Sequence, residues 1–307
     1  MGHKVLVNGT SYEIKGGRAL VDGTGYSITK GRTLIDGTGY DINFSNVSNI
    51  LNSNDWATIR EVSDAGTGAN YWSIGDTKNI VINGNVGKTA FSNLSIDAFI
   101  LGFNHNASQE GNYKIHFQIG KISGVPVALV DTQIAKKVSG TGYFSMNSSD
   151  SNKYGWKFSQ IRTTVLGNSG TSTSPTANTL LAALPVDLRV IMKPVTKYSD
   201  NTGGGSDTAS YVTSTTDYLF LLSELEYYGA RTYANSAEQN YQAQYAYYQV
   251  GNDKIQYRYN ATGAATYAWC RSVASNNNNV FCRVNLNGSV GGEIASYSRG
   301  IAPGFCV

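Results

Sequence analysis

Apolar and polar residues alternate in three short units near the start of the chain, with a repeat of fourteen residues. The units read KVLVNGTSYEI from Lys4, RALVDGTGYSI from Arg18 and RTLIDGTGYDI from Arg32. In each unit an Asn-Gly or Asp-Gly pair separates two alternating runs, and both residues of such a pair tolerate a positive φ. The pattern predicts three 14-residue β-hairpin repeats over residues 1–45.

An isolated hairpin has too little apolar surface to be stable in water. The repeats must therefore stack on one another, on the rest of the chain or on neighbouring subunits. Two roles stay open for them: a β-meander cap, or a docking and oligomerisation module that joins the chain to a larger assembly. We favour the second role.

Strand and helix signals follow from about residue 55 onward. Residues 98–105 and 113–119 are rich in aromatic and β-branched side chains, which favours strands. Residues 217–222 predict a buried strand, and Ser223 followed by Glu224-Leu225-Glu226 is typical of a helix start. The mixture predicts an α+β fold in which N-terminal hairpins precede a domain of short strands and a few helices.

Two sets of large side chains have the spacing of one helical face. They are Trp156, Ile161, Val165 and Leu166 in the first set, and Tyr241, Tyr245 and Tyr248 in the second. We interpret the tyrosines as helix packing rather than as a ligand cage.

The segment 267–307 places large apolar residues at intervals within a polar background. The proposed framework residues are Trp269, Phe281, Cys282, Val284 and Phe305. The positions between them are mostly small and polar, and such residues are seldom buried. A rigid apolar frame that carries adaptable polar positions is typical of a recognition surface. This pattern indicates binding rather than catalysis.

Composition and charge narrow the class of protein. Charged residues make up 15% of the chain, below the roughly 25% of ordinary soluble domains. The net charge of +3, without a basic block, argues against a nucleic-acid groove. No apolar run is long enough for a membrane span, and the first residues lack the apolar stretch of a signal peptide. We expect no nucleic-acid partner, no membrane insertion and no export by the standard secretory route.

Three cysteines, Cys270, Cys282 and Cys306, lie close to the C-terminus. Their odd number excludes complete pairing within one chain, and they lack the spacing of a metal site. One disulfide with a free thiol and three buried reduced thiols both stay open, and we favour the reduced thiols.

A series of short motifs over residues 55–307 carries a family resemblance. The motifs, in chain order, are Gly75-Asp76-Thr77-Lys78, Ile100-Leu101-Gly102-Phe103-Asn104-His105, Trp156-Lys157-Phe158-Ser159-Gln160-Ile161-Arg162, Leu184-Pro185-Val186-Asp187-Leu188, Leu219-Phe220-Leu221-Leu222-Ser223-Glu224, Gln244-Tyr245-Ala246-Tyr247-Tyr248, Trp269-Cys270-Arg271-Ser272 and Ala302-Pro303-Gly304-Phe305-Cys306-Val307. Together they resemble a large family of uncharacterised domains in prophages and gut bacteria, mostly Firmicutes. The order of many motifs makes the resemblance specific, although none would suffice alone.

The resemblance implies a C-type lectin-like domain over residues 55–307, similar in its C-terminal part to the variable proteins of diversity-generating retroelements. In those proteins adenine-directed mutagenesis changes asparagine codons near the C-terminus. The N-terminal hairpins resemble segments that precede such domains in phage tail proteins. The ligand-binding positions implied in this way are Asn276, Asn277, Asn278, Asn279, Asn285, Asn287, Glu293, Tyr297 and Arg299. We expect the side chains at 276–279 and 293–299 to face outward.

One departure from the family pattern concerns the start of this region. Related sequences have paired tryptophans followed by Arg-Ser-Pro, whereas this chain has Trp269-Cys270-Arg271-Ser272-Val273. Cys270 is therefore expected to take the place of the second aromatic residue, with local repacking.

Catalytic chemistry has little support in the sequence. His105 and His116 are interpreted as hydrogen-bonded structural histidines on neighbouring strands. A glycosidase needs two carboxylates, and the nearest grouping is Asp217, Glu224, Glu226 and Glu238. Residues 150–152 offer oxygen ligands without a calcium-loop pattern, which leaves bound calcium open. We expect no enzyme, no catalytic residue, no cofactor and no metal site.

Two functions are therefore compared. The first is a phage tail receptor-binding protein, an adhesin on the virion tail that binds a bacterial cell-surface glycan or protein and docks to other tail proteins. We expect a homotrimer, made in the host cytoplasm and acting outside it, because multivalency strengthens weak contacts. The second is a structural baseplate or tail decoration protein without receptor binding. A glycan-degrading enzyme ranks third.

Overall fold

The computed structural model describes residues 47–307 in full and, before them, the strands within residues 4–43. Positions 1–3, 8–9, 14–16, 22–23, 29, 36–37 and 44–46 lie outside the described residues. The chain divides into two compact units, Met1–Asn49 and Ile50–Val307.

The first unit contains three antiparallel strand pairs. The strands are β1 (Lys4–Val7), β2 (Thr10–Glu13), β3 (Gly17–Val21), β4 (Thr24–Ile28), β5 (Lys30–Ile35) and β6 (Thr38–Asn43). Strand β1 pairs with β2, β3 with β4 and β5 with β6. Each repeat thus contributes one strand pair in the order that a hairpin requires. The predicted Asn-Gly and Asp-Gly turn residues at 8–9, 22–23 and 36–37 lie outside the described residues.

The second unit is a mixture of strands and short helices. Its strands are β7 (Thr77–Val86), β8 (Thr89–Phe103), β9 (Ile115–Ile122), β10 (Val125–Ala128), β11 (Val195–Asp200), β12 (Val212–Asp217), β13 (Leu219–Phe220), β14 (Gln256–Arg258), β15 (Ala261–Thr266), β16 (Ala268–Val273), β17 (Val280–Val284), β18 (Val290–Ile294) and β19 (Gly304–Cys306). Its α-helices are α1 (Trp56–Asp64), α2 (Ala107–Glu110), α3 (Leu180–Ala183), α4 (Val186–Arg189), α5 (Glu224–Tyr228) and α6 (Ala246–Gln249). Shorter 3₁₀ turns span Leu51–Ser53, Gly68–Asn70, Ala209–Tyr211 and Ser236–Asn240, and a π turn spans Ile161–Leu166. The α+β class predicted from the sequence is confirmed. No helix within 47–307 is both long and apolar enough to cross a membrane.

The largest sheet joins strands that are far apart in sequence. It has eight strands in the order β13-β19-β9-β10-β14-β15, with β8 pairing β9 and β7 pairing β8. Strands β10 and β14 run parallel, and the other pairs in this sheet are antiparallel. The C-terminal strand β19 lies between β13 and β9, where Phe305 pairs with Leu219 and Phe117.

Aromatic packing joins helix α1 to this sheet. The Phe117 and Phe305 rings stack with centroids 5.2 Å apart, and Trp56 meets both edge-on. Helix α1 begins where Asp55 accepts the Thr58 N–H at 2.7 Å, which is a normal N-cap. Burying each such aromatic side chain stabilises the fold by about 1.5–3 kcal/mol.

A smaller three-stranded sheet, β16-β17-β18, carries the C-terminal framework. Strand β16 is buried throughout, and β18 is an edge strand that includes Gly291 and Gly292. Trp269 and Phe281 meet edge-on within this sheet at 6.4 Å. The turn after β16 and the turn after β17 lie at opposite ends of β17.

Local capping supports one sequence prediction and long-range contacts overturn another. Helix α5 begins at the predicted place, since Ser223 and Glu226 form a reciprocal capping box. The prediction that Tyr241, Tyr245 and Tyr248 share the face of one helix is wrong, since α6 begins only at Ala246. The chain is irregular between the 3₁₀ turn and α6, where the Tyr245 N–H bonds the distant Glu226 carbonyl at 3.1 Å and Tyr241 stacks on Tyr198.

The predicted strand over 217–222 is divided. Strand β12 ends at Asp217 and β13 covers only Leu219–Phe220. The Asn168 side chain explains the break, because its Oδ1 accepts the Tyr218 N–H at 2.9 Å and its Nδ2 donates to the Leu219 carbonyl at 2.6 Å. At this break the Asn168 side chain therefore makes the backbone hydrogen bonds that a neighbouring strand would otherwise make.

Candidate ligand-binding face

Four consecutive asparagines form the turn between β16 and β17. Asn276, Asn277 and Asn278 are exposed, and Asn279 is half-buried. The Asn277 Oδ1 accepts the Asn279 N–H at 3.0 Å, a local bond that closes the turn. The Asn279 carbonyl accepts the Ala295 N–H at 2.8 Å. The backbone of the turn is thus tied to the segment after β18.

The buried side chain of Asn152 holds this turn from below. Its Nδ2 donates to the carbonyl oxygens of Asn277 at 2.5 Å and Val280 at 3.0 Å. Its backbone N–H donates to the Asn278 carbonyl at 3.0 Å, and its Oδ1 accepts the Gly204 N–H at 2.8 Å. One residue therefore connects the asparagine turn with a second, glycine-rich loop.

The glycine-rich loop is fixed by Asp200 and by close backbone approach. Asp200 Oδ1 accepts the N–H groups of Thr202 at 3.0 Å and Gly203 at 2.8 Å. Gly203 has φ +66°, and a Cβ there would lie 2.1 Å from the Asn152 carbonyl oxygen. Only glycine meets both conditions. The two loops flank an open polar groove of about 300 Å³, lined by Gly204, Gly205, Asn276, Asn277 and Asn278. We call it the asparagine groove.

The asparagine groove offers neutral hydrogen-bonding groups on a fixed backbone. Each Asn side chain carries one acceptor oxygen and two N–H donors. Asn276 and Asn278 make no side-chain hydrogen bond with the described residues, so these groups are free to meet a ligand. The groove lining contains no charged residue. Such a surface can bind hydroxyl-rich or amide-containing ligands.

A larger groove of about 540 Å³ lies elsewhere, and its lining includes five threonines, Lys88 and Asn178. None of the sequence-predicted ligand positions lines it. We assign the candidate face to the smaller groove because three of the predicted residues converge there on a braced backbone.

Asn285 and Asn287 lie at the other end of β17, in the turn that leads to β18. Asn285 Nδ2 donates to Ser289 Oγ and the Val290 carbonyl, both at 3.0 Å. Asn287 Oδ1 accepts the Ser289 N–H at 3.2 Å and hydroxyl at 2.7 Å. These amides shape their own turn, and the length of β17, about 14 Å, separates them from the asparagine groove.

Glu293 and Arg299 form an ion pair instead of two outward contacts. Arg299 is only 6% exposed, and its Nε lies 2.9 Å from Glu293 Oε2. The Arg283 Nη1 donates to the same oxygen at 2.6 Å, and its guanidinium lies 3.6 Å from the centre of the Tyr267 ring. The expectation that residues 293–299 face outward is wrong at four buried positions, which are Ala295, Ser296, Ser298 and Arg299. At Arg299 the Glu293 carboxylate and the Tyr267 ring draw the guanidinium inward.

Tyr297 belongs to this second cluster. It is half-buried, and the Arg299 guanidinium lies 5.0 Å from the centre of its ring. The nine predicted residues therefore divide into three groups: the asparagine turn, the β17–β18 turn and the Glu293–Tyr297–Arg299 cluster. Among them, Asn276, Asn277 and Asn278 line a groove.

A network of buried charges lies under the β16 strand, and the sequence reading missed it. Arg271 donates Nη1 and Nη2 to the two oxygens of Glu226, the second at 2.9 Å. Lys197 Nζ lies 2.9 Å from Glu226 Oε1 and 2.6 Å from Glu110 Oε2. It also donates to the Tyr245 hydroxyl at 2.9 Å. The partners come from distant parts of the chain, and no local pattern reveals them.

Burial shifts the protonation of this network. Burial raises the pKa of the Glu110 carboxyl to about 7, although the nearby Lys197 ammonium opposes the shift. For Glu226, burial alone would raise the pKa, but Arg271 and Lys197 outweigh it and hold the pKa below its usual range. Burial, with Lys197, lowers the pKa of His105 to about 3. Arg271, Lys197 and Glu226 thus form a charged centre beside the neutral His105.

Three members of the network have ligand atoms compact enough for a metal ion. Within the described part of the chain, His105, Glu110 and Glu226 each offer one ligand atom, and these lie within 4.8 Å of one another. Lys197 Nζ already contacts both carboxylates at 2.6 and 2.9 Å. An ammonium group therefore supplies the positive charge that a metal would bring, and the residues fit an ion pair better than a metal site.

The residues considered for catalysis are buried and bonded inside the protein. Asp217 accepts Arg162 Nε at 2.7 Å, and Glu224 accepts the N–H groups of residues 232–234. Glu238 accepts the Ser272 hydroxyl at 2.7 Å. His116 shares a hydrogen bond of 3.1 Å with the Tyr245 hydroxyl. The structural interpretation of His116, which lies on β9, agrees with this bond. His105 does not lie on a strand as predicted, since β8 ends at Phe103 and His105 is in the turn that follows.

The three cysteines are buried and unpaired. Cys282 Sγ lies 3.6 Å from Glu224 Oε2, and Cys306 Sγ lies 3.3 Å from His116 Nδ1. Burial raises the pKa of the Cys270 and Cys282 thiols well above the usual value. The structure has the three buried thiols that the sequence reading favoured.

Comparison with known proteins identifies one domain family. A family described as a domain of unknown function (DUF6273) matches residues 142–307. This region includes the asparagine groove, Asn152 and most of the buried charge network. No curated protein and no solved structure matches the chain.

Proposed function

The chain belongs to the DUF6273 family, and from the geometry of its asparagine groove we propose that it is a receptor-binding protein of a phage tail. In this role it is an adhesin that recognises a glycan or protein on a bacterial surface. The observation that carries the proposal is the combination of free amide side chains at Asn276 and Asn278 with a backbone fixed by buried Asn152. On a face of this kind the side chains can be substituted while the fold of the backbone stays the same.

The family resemblance supplies the biological setting of the proposal. The motifs over residues 55–307 resemble prophage and gut Firmicutes domains with a C-type lectin-like C-terminal part. Asn276, Asn277 and Asn278 are exposed, and asparagine codons are the ones that adenine-directed mutagenesis changes in the variable proteins of diversity-generating retroelements. We propose that ligand choice depends on this turn.

The N-terminal repeats fit a docking role in the same proposal. Three strand pairs, β1–β2, β3–β4 and β5–β6, form three separate two-stranded sheets. A two-stranded pair is marginal in water by itself, so contacts with tail proteins or neighbouring copies would stabilise it. We propose a homotrimer, in which three weak ligand contacts add through effective concentration.

A structural baseplate or decoration protein is the second candidate. The cluster of buried Arg299 with half-buried Arg283, Glu293 and Tyr297 favours this candidate locally, because its ion pairs and ring contacts resemble an assembly surface more than a variable one. The two candidates differ in what the asparagine groove does. In an adhesin the asparagine groove is needed for cell binding. In a structural protein the surface of the groove is needed for incorporation into the particle.

Cell binding by the full chain tests the proposal. The labelled protein is incubated with a panel of gut Firmicutes strains, alongside a variant carrying Asn276→Ala, Asn277→Ser and Asn278→Ala. A matched control carries Asn70→Ser, Asn85→Ser and Asn260→Ser, which change exposed asparagines outside the groove. We expect strain-selective binding by the parent and the control and its loss in the groove variant, with equal melting temperatures.

Two results would count against the adhesin. Equal binding by all three proteins would remove the groove from recognition. Absence of binding by the parent, together with failure of the groove variant to enter tail particles, would favour the structural role.

A further inference from the structure

Two large aromatic side chains stand in solvent close to the asparagine groove. Tyr154 is 58% exposed and Phe158 is 62% exposed, whereas most aromatic residues of this unit are buried or half-buried. Their rings meet edge-on with centroids 6.1 Å apart. Two neighbouring exposed aromatics form an apolar surface that folding alone does not explain.

The backbone at Tyr154 is held in an unfavourable conformation. Residues 152–155 form a turn closed by the Gly155 N–H and the Asn152 carbonyl at 3.0 Å, and Tyr154 at its third position has φ +68°. Glycine or asparagine normally occupies that position. A bulky residue there costs roughly 1–3 kcal/mol. The Tyr154 ring gains little packing in return, since most of it is exposed.

The turn cannot relax, because its neighbours fix it. A Cβ on Gly155 would lie 1.9 Å from the Asp200 carbonyl oxygen. The Tyr154 N–H donates to the Thr202 carbonyl at 2.7 Å, and the Lys157 N–H donates to Asn201 Oδ1 at 2.9 Å. The glycine-rich loop that lines the groove therefore also holds the aromatic pair.

Asn152 connects the two surfaces directly. Its side chain bonds the backbone of Asn277 and Gly204 in the groove, and its own carbonyl closes the turn that carries Tyr154. The aromatic pair and the groove consequently belong to one rigid framework. A ligand that spans both would find its contacts already in place.

Two lysines add positive charge to the aromatic pair. Lys153 Nζ lies 5.9 Å from the centre of the Tyr154 ring, and Lys157 Nζ lies 5.5 Å from the centre of the Phe158 ring. Both lysines are exposed, and neither has an ion-pair partner among residues 47–307. Their ammonium groups are free to meet negative charge on a ligand.

We propose that Tyr154 and Phe158 form a stacking platform for a sugar ring of an anionic glycan, with Lys153 and Lys157 binding its phosphate or carboxylate groups. The sugar C–H groups lie against the aromatic faces, and the neutral amides of the groove bond the hydroxyls of an adjoining sugar. This inference rests on the proposed function and names the class of ligand.

Binding of defined probes to the full chain tests the platform. The probes are an oligogalacturonate, which carries carboxylates, a glucosylated poly(glycerol phosphate), which carries phosphates, and a neutral maltooligosaccharide of similar length. Variant Tyr154→Asn removes the ring at a position where Asn tolerates positive φ. Its control is Tyr113→Asn, since Tyr113 is 56% exposed at φ +58° in the loop before β9. Lys153→Gln with Lys157→Gln removes the charge, and Lys136→Gln is the control for an exposed lysine.

We expect at least one anionic probe to bind more tightly than the neutral one, and added salt to weaken that binding. Tyr154→Asn should weaken it by about tenfold, corresponding to the loss of one aromatic contact, without lowering the melting temperature. Preference for carboxylate or for phosphate identifies the source of the negative charge. Tyr113→Asn and Lys136→Gln should bind as the parent does.

Three results would overturn the inference. They are equal affinity for neutral and anionic probes, parent-like affinity of Tyr154→Asn, and absence of binding to all three probes. Cell binding separates this failure from failure of the proposed function. If the asparagine-groove variant loses cell binding while Tyr154→Asn keeps it, the adhesin stands without the platform.

Discussion

Asn152 donates its side-chain amide to the carbonyl oxygen of Asn277 at 2.5 Å, across 125 positions of sequence. The same side chain accepts the Gly204 N–H at 2.8 Å. Two loops that carry the candidate groove therefore depend on one buried residue. This arrangement separates the backbone, which is fixed, from the Asn276 and Asn278 side chains, which are free.

Replacing Asn152 should loosen the groove and destabilise the fold. Asn152→Ala removes three side-chain hydrogen bonds, to the Asn277 carbonyl, the Val280 carbonyl and the Gly204 N–H, and each such bond contributes about 0.5–1.5 kcal/mol. We expect the free energy of unfolding to fall by about 2–4 kcal/mol in urea titrations. Hydrogen exchange at the Gly204 amide should accelerate.

Asn152→Asp gives a sharper comparison for the same residue. The aspartate keeps an acceptor for the Gly204 N–H but cannot donate to the Asn277 or Val280 carbonyl. Gly204 should then exchange nearly as slowly as in the parent, while cell binding falls. Slow exchange at Gly204 in both variants would contradict the bracing role.

The buried pair of Arg271 and Glu226 gives a second prediction. Arg271→Met removes one partner and leaves the Glu226 carboxylate with Lys197 and the Ser223 N–H, and breaking a buried pair costs about 3–5 kcal/mol. We expect a loss of that size in the free energy of unfolding. The double variant Arg271→Met, Glu226→Gln should lose less than the sum of the two single variants, because no carboxylate is stranded. Additive losses would mean that the two side chains are not coupled.

Local patterns predicted those elements whose stabilising contacts are also local. The helix start at Ser223 and Glu226 follows from a capping box within four residues. Strands β8 and β9 could be predicted because aromatic and β-branched residues dominate them. The asparagine turn could be found because its polar residues interrupt an apolar framework.

Long-range contacts determined what the sequence reading missed. The Arg271–Glu226 and Lys197–Glu110 pairs join residues 45 and 87 positions apart, and single charged residues carry no sign of their partners. Arg299 lies in a polar segment, so its burial against Glu293 could not be seen. The exposed aromatics Tyr154 and Phe158 resemble core residues in a sequence, and only their surroundings reveal their exposure.

Glu238 gives a prediction about pH. It is fully buried, and burial raises the pKa of its carboxyl from 4.5 to about 7, despite hydrogen bonds from Asp200 and Ser272. The folded state therefore holds this proton more tightly than the unfolded state. The contribution to stability is complete below pH 4.5 and is lost as the pH rises through 7. The difference between the two pKa values corresponds to roughly 3 kcal/mol of stability.

The measurement compares Glu238→Gln with the parent, because other groups titrate in the same range. Burial lowers the pKa of His105 to about 3, so this histidine stabilises the fold more as the pH rises from 3 to 6.5. Its slope has the opposite sign to that of Glu238. Unfolding free energies from pH 4 to 8 should show the parent losing stability relative to Glu238→Gln as the pH rises. A constant difference between the two proteins would exclude a raised pKa at Glu238.

Arg299 and Asn278 should respond differently to substitution, although the sequence reading placed both on the ligand face. Arg299 is 6% exposed and bonds Glu293. Arg299→Ala leaves Arg283 as the remaining partner of that carboxylate and removes the guanidinium from the Tyr267 and Tyr297 rings.

We expect Arg299→Ala to lower the free energy of unfolding by about 2–3 kcal/mol, as for other hydrogen bonds to charged groups. Asn278→Ala should change it by less than about 0.5 kcal/mol, because the side chain is exposed and makes no bond with the described residues. Urea titration of the two variants beside the parent measures both effects. A library of substitutions at positions 276–278 should accordingly yield folded protein for most of its members, whereas a library of substitutions at position 299 should not. Equal tolerance at 278 and 299 would show that the Glu293–Arg299 pair contributes little, and would return residue 299 to the set of variable positions.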